Sequence, residues 1–267
     1  MNVKDIIRFA LRTAMTVFLF VLILSVHTGR TAETLLSPKK AEVVRDFANK
    51  QNINGYIHIA FAWGTQLSPP QNYLRGFINL KEAMHRWTEI ETTIDNHIYL
   101  SSPELLEMPF VYVTTDQAFE LTGTEIKNIK AYFDSGGFMV LDNATPNTDF
   151  SQAGASLKKM LRDVLGAHAR FQPIPTDHQL YHCFFDFDDG PPLGAELQNQ
   201  TPTGAEPMKR EVHYLEGIWY KGRLAAICSD KGYIIKWQEM ENNNPQLKMG
   251  VNMVVFSLIQ EGSIAGK

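Results

Sequence analysis

Cysteine is nearly absent from the sequence, which contains only Cys183 and Cys228. Two cysteines exclude a disulfide-rich scaffold and a cysteine-rich zinc site, because both need several such residues at close spacing. The two thiols could pair in an oxidising compartment, or each could be a buried free thiol, and the sequence leaves both alternatives open.

An excess of basic residues is also missing. The chain has 25 Lys and Arg against 29 Asp and Glu, which gives a net charge of −4. This balance argues against a nucleic-acid-binding protein that relies on overall positive charge. The sequence has no P-loop, dinucleotide-binding fingerprint or Gly-x-Ser-x-Gly elbow, so we predict no cofactor.

The average composition is that of a folded globular protein. Of the 267 residues, 44% are hydrophobic, 11% are aromatic and 20% are charged. These fractions exclude intrinsic disorder, collagen-like sequence and a coiled coil. The length suffices for one large domain or two small ones with a substantial core.

Residues 1–32 differ in character from the rest of the chain. Lys4, Arg8 and Arg12 precede residues 13–29, which include no Lys, Arg, Asp or Glu. A basic region followed by an apolar stretch is typical of a secretory signal, and a retained membrane anchor is the alternative. Without residues 1–32 the chain has 21 basic and 28 acidic residues, a net charge of −7. We therefore expect an exported protein, either periplasmic or anchored at the outer face of the cytoplasmic membrane.

Strand and helix patterns alternate along the body of the chain, which predicts an α/β fold with parallel strands and right-handed crossovers. Thr122 and Glu125 have capping-box spacing before one helix, and Gly136-Gly137 supplies its stop. Lys221-Gly222 predicts a β-hairpin turn near the C-terminus. Strands are predicted at residues 56–62, 97–100, 110–113 and 138–141, amphipathic helices around residues 74–87, 126–133 and 153–165, and a buried closing helix at residues 250–259.

These patterns predict one domain, at residues 54–260. Residues 33–53 are predicted to be a polar connecting segment, and residues 261–267 a tail. Residues 190–207 are rich in Gly, Pro, Gln and Thr, which indicates an exposed excursion that is too short to divide the body into two domains.

Four blocks of the body resemble one bacterial family. They are PFVYVTTDQAFELTGTEIKNIKAYFDSGGFMVLDN (109–143), TDHQLYH (176–182), LEGIWYKGRLAAICSDKG (215–232) and GVNMVVFSLI (250–259). Their order and spacing are similar to those of the family catalogued as domain of unknown function 4159, over roughly residues 54–260. The resemblance implies a three-layer, flavodoxin-like fold similar to class I glutamine amidotransferases and to the ThuA-like proteins of sugar metabolism. It also implies partners of the von Willebrand factor A and MoxR-type ATPase kinds in the bacterial envelope.

The resemblance places Asp142 where the amidotransferases have their nucleophilic cysteine and ThuA-like proteins have a histidine. A carboxylate cannot replace a thiolate in glutamine hydrolysis, so glutaminase activity is not expected. Asp142 is then a ligand contact or a base at the mouth of the sheet, or it shares with Asn143 a role in bonding the turn. The candidate ligand-binding residues are Asp116, Asp142, Asn143, His178, Arg223 and Asp230.

The histidines leave a second and a third hypothesis open. His178 could be the partner of Asp142 in a ThuA-like hydrolase or sugar-modifying enzyme, with Asp116 orienting the substrate. The third hypothesis is a metal-dependent site that uses Asp142, His178 and His182, because the two histidines are four residues apart, as in some zinc sites. No His-Glu-x-x-His motif accompanies them, and our leading prediction includes no metal. The leading prediction is a non-catalytic interaction or ligand-binding module of an envelope assembly, with no identified catalytic residue.

Overall fold

A mostly parallel sheet with helices on both faces forms the centre of the molecule. The computed structural model describes residues 39–46, 48–146, 151–197 and 213–266, which belong to one compact unit that starts at Lys39. The predicted leader at residues 1–32 and much of the predicted excursion at residues 190–207 lie outside the described residues.

Eight strands and five α-helices are found among the described residues. The strands are β1 (Ala41–Arg45), β2 (Ile53–Trp63), β3 (Glu89–Tyr99), β4 (Phe110–Thr115), β5 (Phe138–Asn143), β6 (Gln172–Pro173), β7 (Glu216–Tyr220) and β8 (Arg223–Ser229). The helices are α1 (Tyr73–Trp87), α2 (Gly123–Asp134), α3 (Gln152–Leu165), α4 (Tyr233–Trp237) and α5 (Asn244–Ile259).

The strand order across the sheet is β3-β2-β4-β5-β8-β7-β6. The five strands from β3 to β8 in this order are parallel, and β7 and β6 continue the sheet in antiparallel fashion. β1 pairs antiparallel with the first half of β2, on the edge of β2 that β4 occupies further along. Because the chain places β3 on one side of β2 and β4 on the other, the strand order reverses at β2, where open parallel sheets commonly bind ligands.

The two faces of the sheet form two hydrophobic clusters. Along β5, Phe138 and Val140 point to one face, and Met139 and Leu141 point to the other. The first face is covered by α1, α4 and α5, and the second by α2 and α3. Strands that are buried on both faces must be apolar at nearly every position, which explains why β4 and β5 each begin with four consecutive apolar or aromatic residues. The mixed α/β fold with a mostly parallel central sheet, a C-terminal hairpin and a buried closing helix is confirmed.

The boundaries of α2 agree with those predicted from its capping box and from the glycines that follow it. Thr122 Oγ1 accepts a hydrogen bond from Glu125 N, and the Glu125 carboxylate accepts one from Thr122 N, so the capping box is present. At the other end Gly136 has a φ of 101°, which allows the chain to leave the helix and enter β5. The hairpin turn is also present, with positive φ at both Lys221 and Gly222.

Four segments differ from the sequence-based expectation. The described part of the predicted exposed excursion, residues 190–196, is mostly buried, because Glu196 pairs with Lys231 and backbone bonds join this segment to the loop after β8. The predicted connecting segment includes β1, and β3 starts at Glu89, well before the predicted residue 97. β1 has only five residues, and apolar residues are few and widely spaced in β3, so the sequence alone does not separate either strand from a polar segment. The predicted tail includes a 3-10 helix, Ile264–Gly266, whose Ile264 packs on the second face.

Cys183 and Cys228 are free thiols, so the disulfide alternative is not realised. Cys183 belongs to the cluster under α5, and Cys228 belongs to the cluster on the opposite face of the sheet. The sheet therefore separates the two sulfur atoms. Among the described residues, no helix is long and apolar enough to cross a membrane.

Candidate functional site

Polar side chains gather where β4, β5 and β8 end. The register pairs Thr114 with Asp142, and Asp142 with Ser229, so the ends of these strands lie side by side. Asp116, Asn143 and Asp230 follow at or just beyond the same ends. Four of the six candidate residues are therefore at the carboxyl edge of the sheet, where their sequence positions had placed them.

Asp142 lies beneath the short helix α4 and is fully buried. Its Oδ2 accepts a hydrogen bond of 3.0 Å from the backbone amide of Ile234, whereas Oδ1 has no hydrogen-bond partner among the described residues. Burial raises the pKa of Asp142 to about 6, although the nearby Ser229 and Tyr112 hydroxyls and the Ile234 amide oppose the rise. In this arrangement Asp142 satisfies a backbone amide of the first turn of α4.

The hydroxyls of Tyr112 and Thr114 are buried beside Asp142 on the same face of the sheet, because alternate residues of β4 share a face. Neither oxygen has a hydrogen-bond partner among the described residues. Burial raises the pKa of Tyr112 well above its usual value, and the charge of Asp142 adds to that rise. Asp142 thus has hydroxyl groups close by, but they provide no compensating positive charge.

Asn143 points to the opposite face and bonds the turn that follows β5. Its Oδ1 accepts hydrogen bonds from Thr145 N at 3.0 Å and from Ser151 Oγ at 2.8 Å. Its Nδ2 donates to Asp230 Oδ1 at 3.2 Å, which links the ends of β5 and β8. Because Ser151 is the N-cap of α3, Asn143 fixes the start of that helix. Asn143 therefore has the turn-bonding role that the sequence left open.

Asp230 also belongs to a partly exposed charged cluster. The Lys158 ammonium lies between the Glu216 and Asp230 carboxylates, and its Nζ is 3.6 Å from Asp230 Oδ2. Burial lowers the pKa of Lys158, but the Glu216 hydrogen bond and the Asp230 charge outweigh burial, so its pKa is raised overall. The side chains keep 21–28% of their surface exposed, so this cluster is accessible to solvent from the α3 side.

His178 lies at the other end of the sheet. Its Nδ1 accepts a hydrogen bond of 3.1 Å from Leu180 N, and its ring centroid is 5.5 Å from that of Phe256. Phe256 in turn contacts Phe138, the first residue of β5. Since a strand rises about 3.3 Å per residue, roughly 13 Å of β5 separate that end from Asp142. The hydrolase hypothesis requires His178 and Asp142 to lie together, and the structure places them at opposite ends of the sheet.

Arg223 is also far from Asp142, because it is the first residue of β8 and Asp142 pairs with the last. Its Nη2 donates a hydrogen bond of 2.8 Å to the carbonyl oxygen of Phe133, which closes the C-terminus of α2. Burial lowers the pKa of Arg223. Its surroundings indicate a structural contact between α2 and the hairpin.

His182 contacts the acidic loop rather than His178. Its Nδ1 is 3.2 Å from Asp186 Oδ1, and its Nε2 is 2.8 Å from the carbonyl oxygen of Thr176. Lys50 binds the same Asp186 oxygen at 2.6 Å. Within the described ranges, no three His, Cys, Asp or Glu side chains are arranged to hold a metal ion.

A buried ion pair at the loop after β8 had no signal in the sequence. Lys231 Nζ is 3.0 Å from Glu196 Oε1, and both side chains are at most 1% exposed. Glu196 Oε2 also accepts a hydrogen bond of 2.7 Å from Gly194 N, and Ala195 N donates to the Lys231 carbonyl oxygen. These bonds hold the segment around residues 192–197 against the loop after β8. The partners are 35 positions apart, so spacing could not reveal them.

Glu125 joins the end of β2 to α2. Its Oε1 accepts hydrogen bonds from the amide and hydroxyl of Thr65, and its Oε2 accepts from those of Thr122. The capping box was predicted, but the contact with Thr65 depends on the tertiary fold. It fixes the loop after β2, beside the point where the strand order reverses.

These features define a three-layer α/β domain whose polar residues gather at the carboxyl edge of its parallel strands. The chain belongs to the family described as domain of unknown function (DUF4159), whose model matches residues 66–258. This match confirms the family resemblance of the four sequence blocks. A comparison with curated proteins found no significant match.

Proposed function

We propose that this domain is a non-catalytic interaction or ligand-binding module. The observation that carries the proposal is the environment of Asp142, which is fully buried and bonded to the Ile234 amide. A nucleophile or general base must reach the atom on which it acts. Asp142 instead stabilises a helix start, and the candidate partner His178 lies at the other end of β5.

The finer fold assignment is also a proposal. The reversal of strand order at β2 and the position of Asp142 after the Gly-Gly strand support a class I amidotransferase-like, flavodoxin-like fold. In that assignment Asp142 occupies the position of the amidotransferase nucleophile. Its replacement by a buried carboxylate supports the loss of glutaminase chemistry, and the ThuA-like alternative would need a different set of catalytic residues.

The predicted leader and the family support the proposed cellular setting. The basic and apolar pattern of residues 1–32 supports export or membrane tethering. The resemblance to envelope-associated relatives supports von Willebrand factor A and MoxR-type systems as partners. We place the module on the outer side of the cytoplasmic membrane, as one component of an assembly.

A turnover assay tests the absence of catalysis. The purified full-length chain and its Asp142→Asn variant should show the same background rates with glutamine and with a p-nitrophenyl ester. Asparagine keeps an acceptor for the Ile234 amide, so the variant should remain folded. A rate above background that disappears in Asp142→Asn would contradict the proposal. Circular dichroism of both proteins provides the folding control.

A further inference from the structure

The outer edge of β3 has no strand partner among the described residues. β3 pairs with β2 alone, and β1 and β4 both occupy the opposite edge of β2. With 11 residues, β3 is as long as β2 and much longer than the antiparallel strands at the other end of the sheet. An edge of this length presents backbone donors and acceptors that can pair with another extended segment.

Helix α1 overhangs this edge and forms a groove with it. α1 packs on α4 and α5 on one side and on β3 on the other. The groove has a volume of about 750 Å³, and Ile78 and Ile94 provide its apolar surface. Its rim is formed by Lys81, Glu82, His85 and Arg86. A strand added to β3 would place every second side chain in this groove, because side chains alternate across a sheet.

The opposite face of β3 is acidic. Glu89 and Glu91 are exposed there and form no ion pair with a described residue, whereas Asp95 is held by His58 and Lys40. Carboxylates directly opposite one another on paired strands are destabilising. A second copy of β3 would add further carboxylates and no lysine or arginine, so it offers Glu89 and Glu91 no complementary cation.

The two faces therefore require different side chains from an added strand. Apolar residues fit the groove between Ile78 and Ile94. On its rim Lys81 and Arg86 outnumber the one carboxylate, Glu82, so the rim disfavours lysine or arginine on that side. On the other side, lysine or arginine would lie beside Glu89 and Glu91 as cross-strand pairs. The charges on the groove rim and on Glu89 and Glu91 thus select the sequence of the partner strand. They also determine which of its faces turns towards the groove.

We propose that the free edge of β3 binds an extended segment of a partner protein, in which aliphatic residues alternate with lysine or arginine, as an added strand under α1. This inference rests on the proposed function as an interaction module and names the surface and the chemistry of its partner. Backbone pairing supplies the geometry, the groove takes the aliphatic side chains, and the carboxylates of Glu89 and Glu91 supply charge selectivity.

Peptide binding to the full-length chain tests the proposal. The probe is a short fluorescent peptide, blocked at both ends, in which lysine alternates with isoleucine, and the matched peptide has glutamate in place of lysine. We expect the lysine peptide to bind, the glutamate peptide to bind at least about tenfold more weakly, and amide exchange to slow within residues 89–99. Binding should weaken with added salt.

Charge reversal supplies the control. Glu89→Lys/Glu91→Lys should exchange the preference of the chain for the two peptides, whereas reversal of two exposed carboxylates elsewhere, Glu241→Lys/Glu261→Lys, should leave it unchanged. Ile78→Glu is a second variant, at a position that is already 44% exposed, and it should weaken binding of either peptide.

Several outcomes would overturn the proposal. The first is that the lysine peptide does not bind, and the second is that amide exchange slows only outside residues 89–99. The third is that Glu89→Lys/Glu91→Lys leaves the preference between the two peptides unchanged. The fourth is a stable dimer in sedimentation that Ile78→Glu dissociates. The last result would assign the edge to a second copy of the chain. Failure here is distinct from failure of the proposed function, because Asp142-dependent turnover would contradict that function without changing peptide binding.

Discussion

Asp142 and Glu125 are both buried carboxylates, yet their surroundings move their pKa values in opposite directions. Burial raises the pKa of Asp142 to about 6, and only one of its oxygens accepts a hydrogen bond from the described residues. Burial also raises the pKa of Glu125, but four hydrogen bonds from Thr122 and Thr65 outweigh burial, and the pKa falls below its usual value. For Asp142 burial outweighs the Ser229 and Tyr112 hydroxyls and the Ile234 amide, whereas for Glu125 the hydrogen bonds outweigh burial, and this balance decides the direction.

The raised pKa of Asp142 predicts that the protein loses stability as pH increases. The folded state keeps this proton up to about pH 6, whereas the unfolded chain releases it near the ordinary pKa of 3.8. The contribution of Asp142 to the free energy of unfolding is therefore fully present below pH 4 and is lost as pH rises through 6. Asp142→Asn does not ionise, so it should be more stable than the natural protein at pH 8 by on the order of 1–3 kcal/mol.

Urea unfolding at pH 4, 6 and 8 would measure this difference, which should be close to zero at pH 4. The same substitution at the exposed Asp116 should leave the pH profile of the natural protein unchanged. If Asp142→Asn were less stable than the natural protein at pH 8, the surroundings of Asp142 would favour its charged form, which would contradict the raised pKa.

At the scale of elements, local chemistry predicted α2 closely and predicted β1 and β3 poorly. α2 has a capping box at Thr122 and glycines at its end, and such signals act within a few residues. β1 is short and the first half of β3 has few apolar residues, so their pairing with β2 is what makes them strands. The short helix α4 likewise depends on Asp142, a residue 92 positions away in sequence.

The glycine after α2 gives a test of close packing at that turn. A Cβ at Gly137 would lie 2.2 Å from Cζ of Tyr132, whose ring is fully buried and whose hydroxyl donates to the Phe138 carbonyl. The ring cannot move away without losing that bond, so Gly137→Ala should lower the free energy of unfolding by about 3 kcal/mol or more. Thermal or urea unfolding would measure the change.

Gly123, in the first turn of α2, is the matched control. A Cβ there would meet no atom within 4 Å. Gly123→Ala should therefore be neutral or stabilising by about 0.5–1 kcal/mol, because alanine restricts the unfolded chain and favours the helix. Equal destabilisation by the two substitutions would show that the Tyr132 contact is not the cause.

At the scale of the whole molecule, the sheet decides which candidate residues can act together. Asp116, Asp142, Asn143 and Asp230 lie at the carboxyl ends of the parallel strands. His178 and Arg223 lie near the opposite ends of these strands. Asp142 and Asn143, adjacent in sequence, point to opposite faces and contact different helices. The site therefore consists of two polar groups separated by the sheet rather than of one cluster.

The proposed envelope setting leads to a prediction for the intact protein. In fractionated cells that express the full chain, it should be found in the periplasmic or membrane fraction, and mild detergent should extract it together with partner proteins. A variant that lacks residues 1–32 should remain in the cytoplasm. A full-length chain found in the cytosol, with the same distribution as this variant, would contradict export and tethering.

The sequence by itself determined the α/β class, the family, the limits of α2, the hairpin turn and the buried closing helix, because periodicity, capping and turn chemistry are local. It also placed four candidate residues correctly at strand ends, since the carboxyl ends of parallel strands share one edge. The tertiary structure was needed to show that Asp142 bonds the first turn of α4, that Lys231 pairs with Glu196, and that the edge of β3 beside α1 has no strand partner among the described residues. These features join residues that are distant in sequence, and burial and strand order, rather than spacing, bring them together.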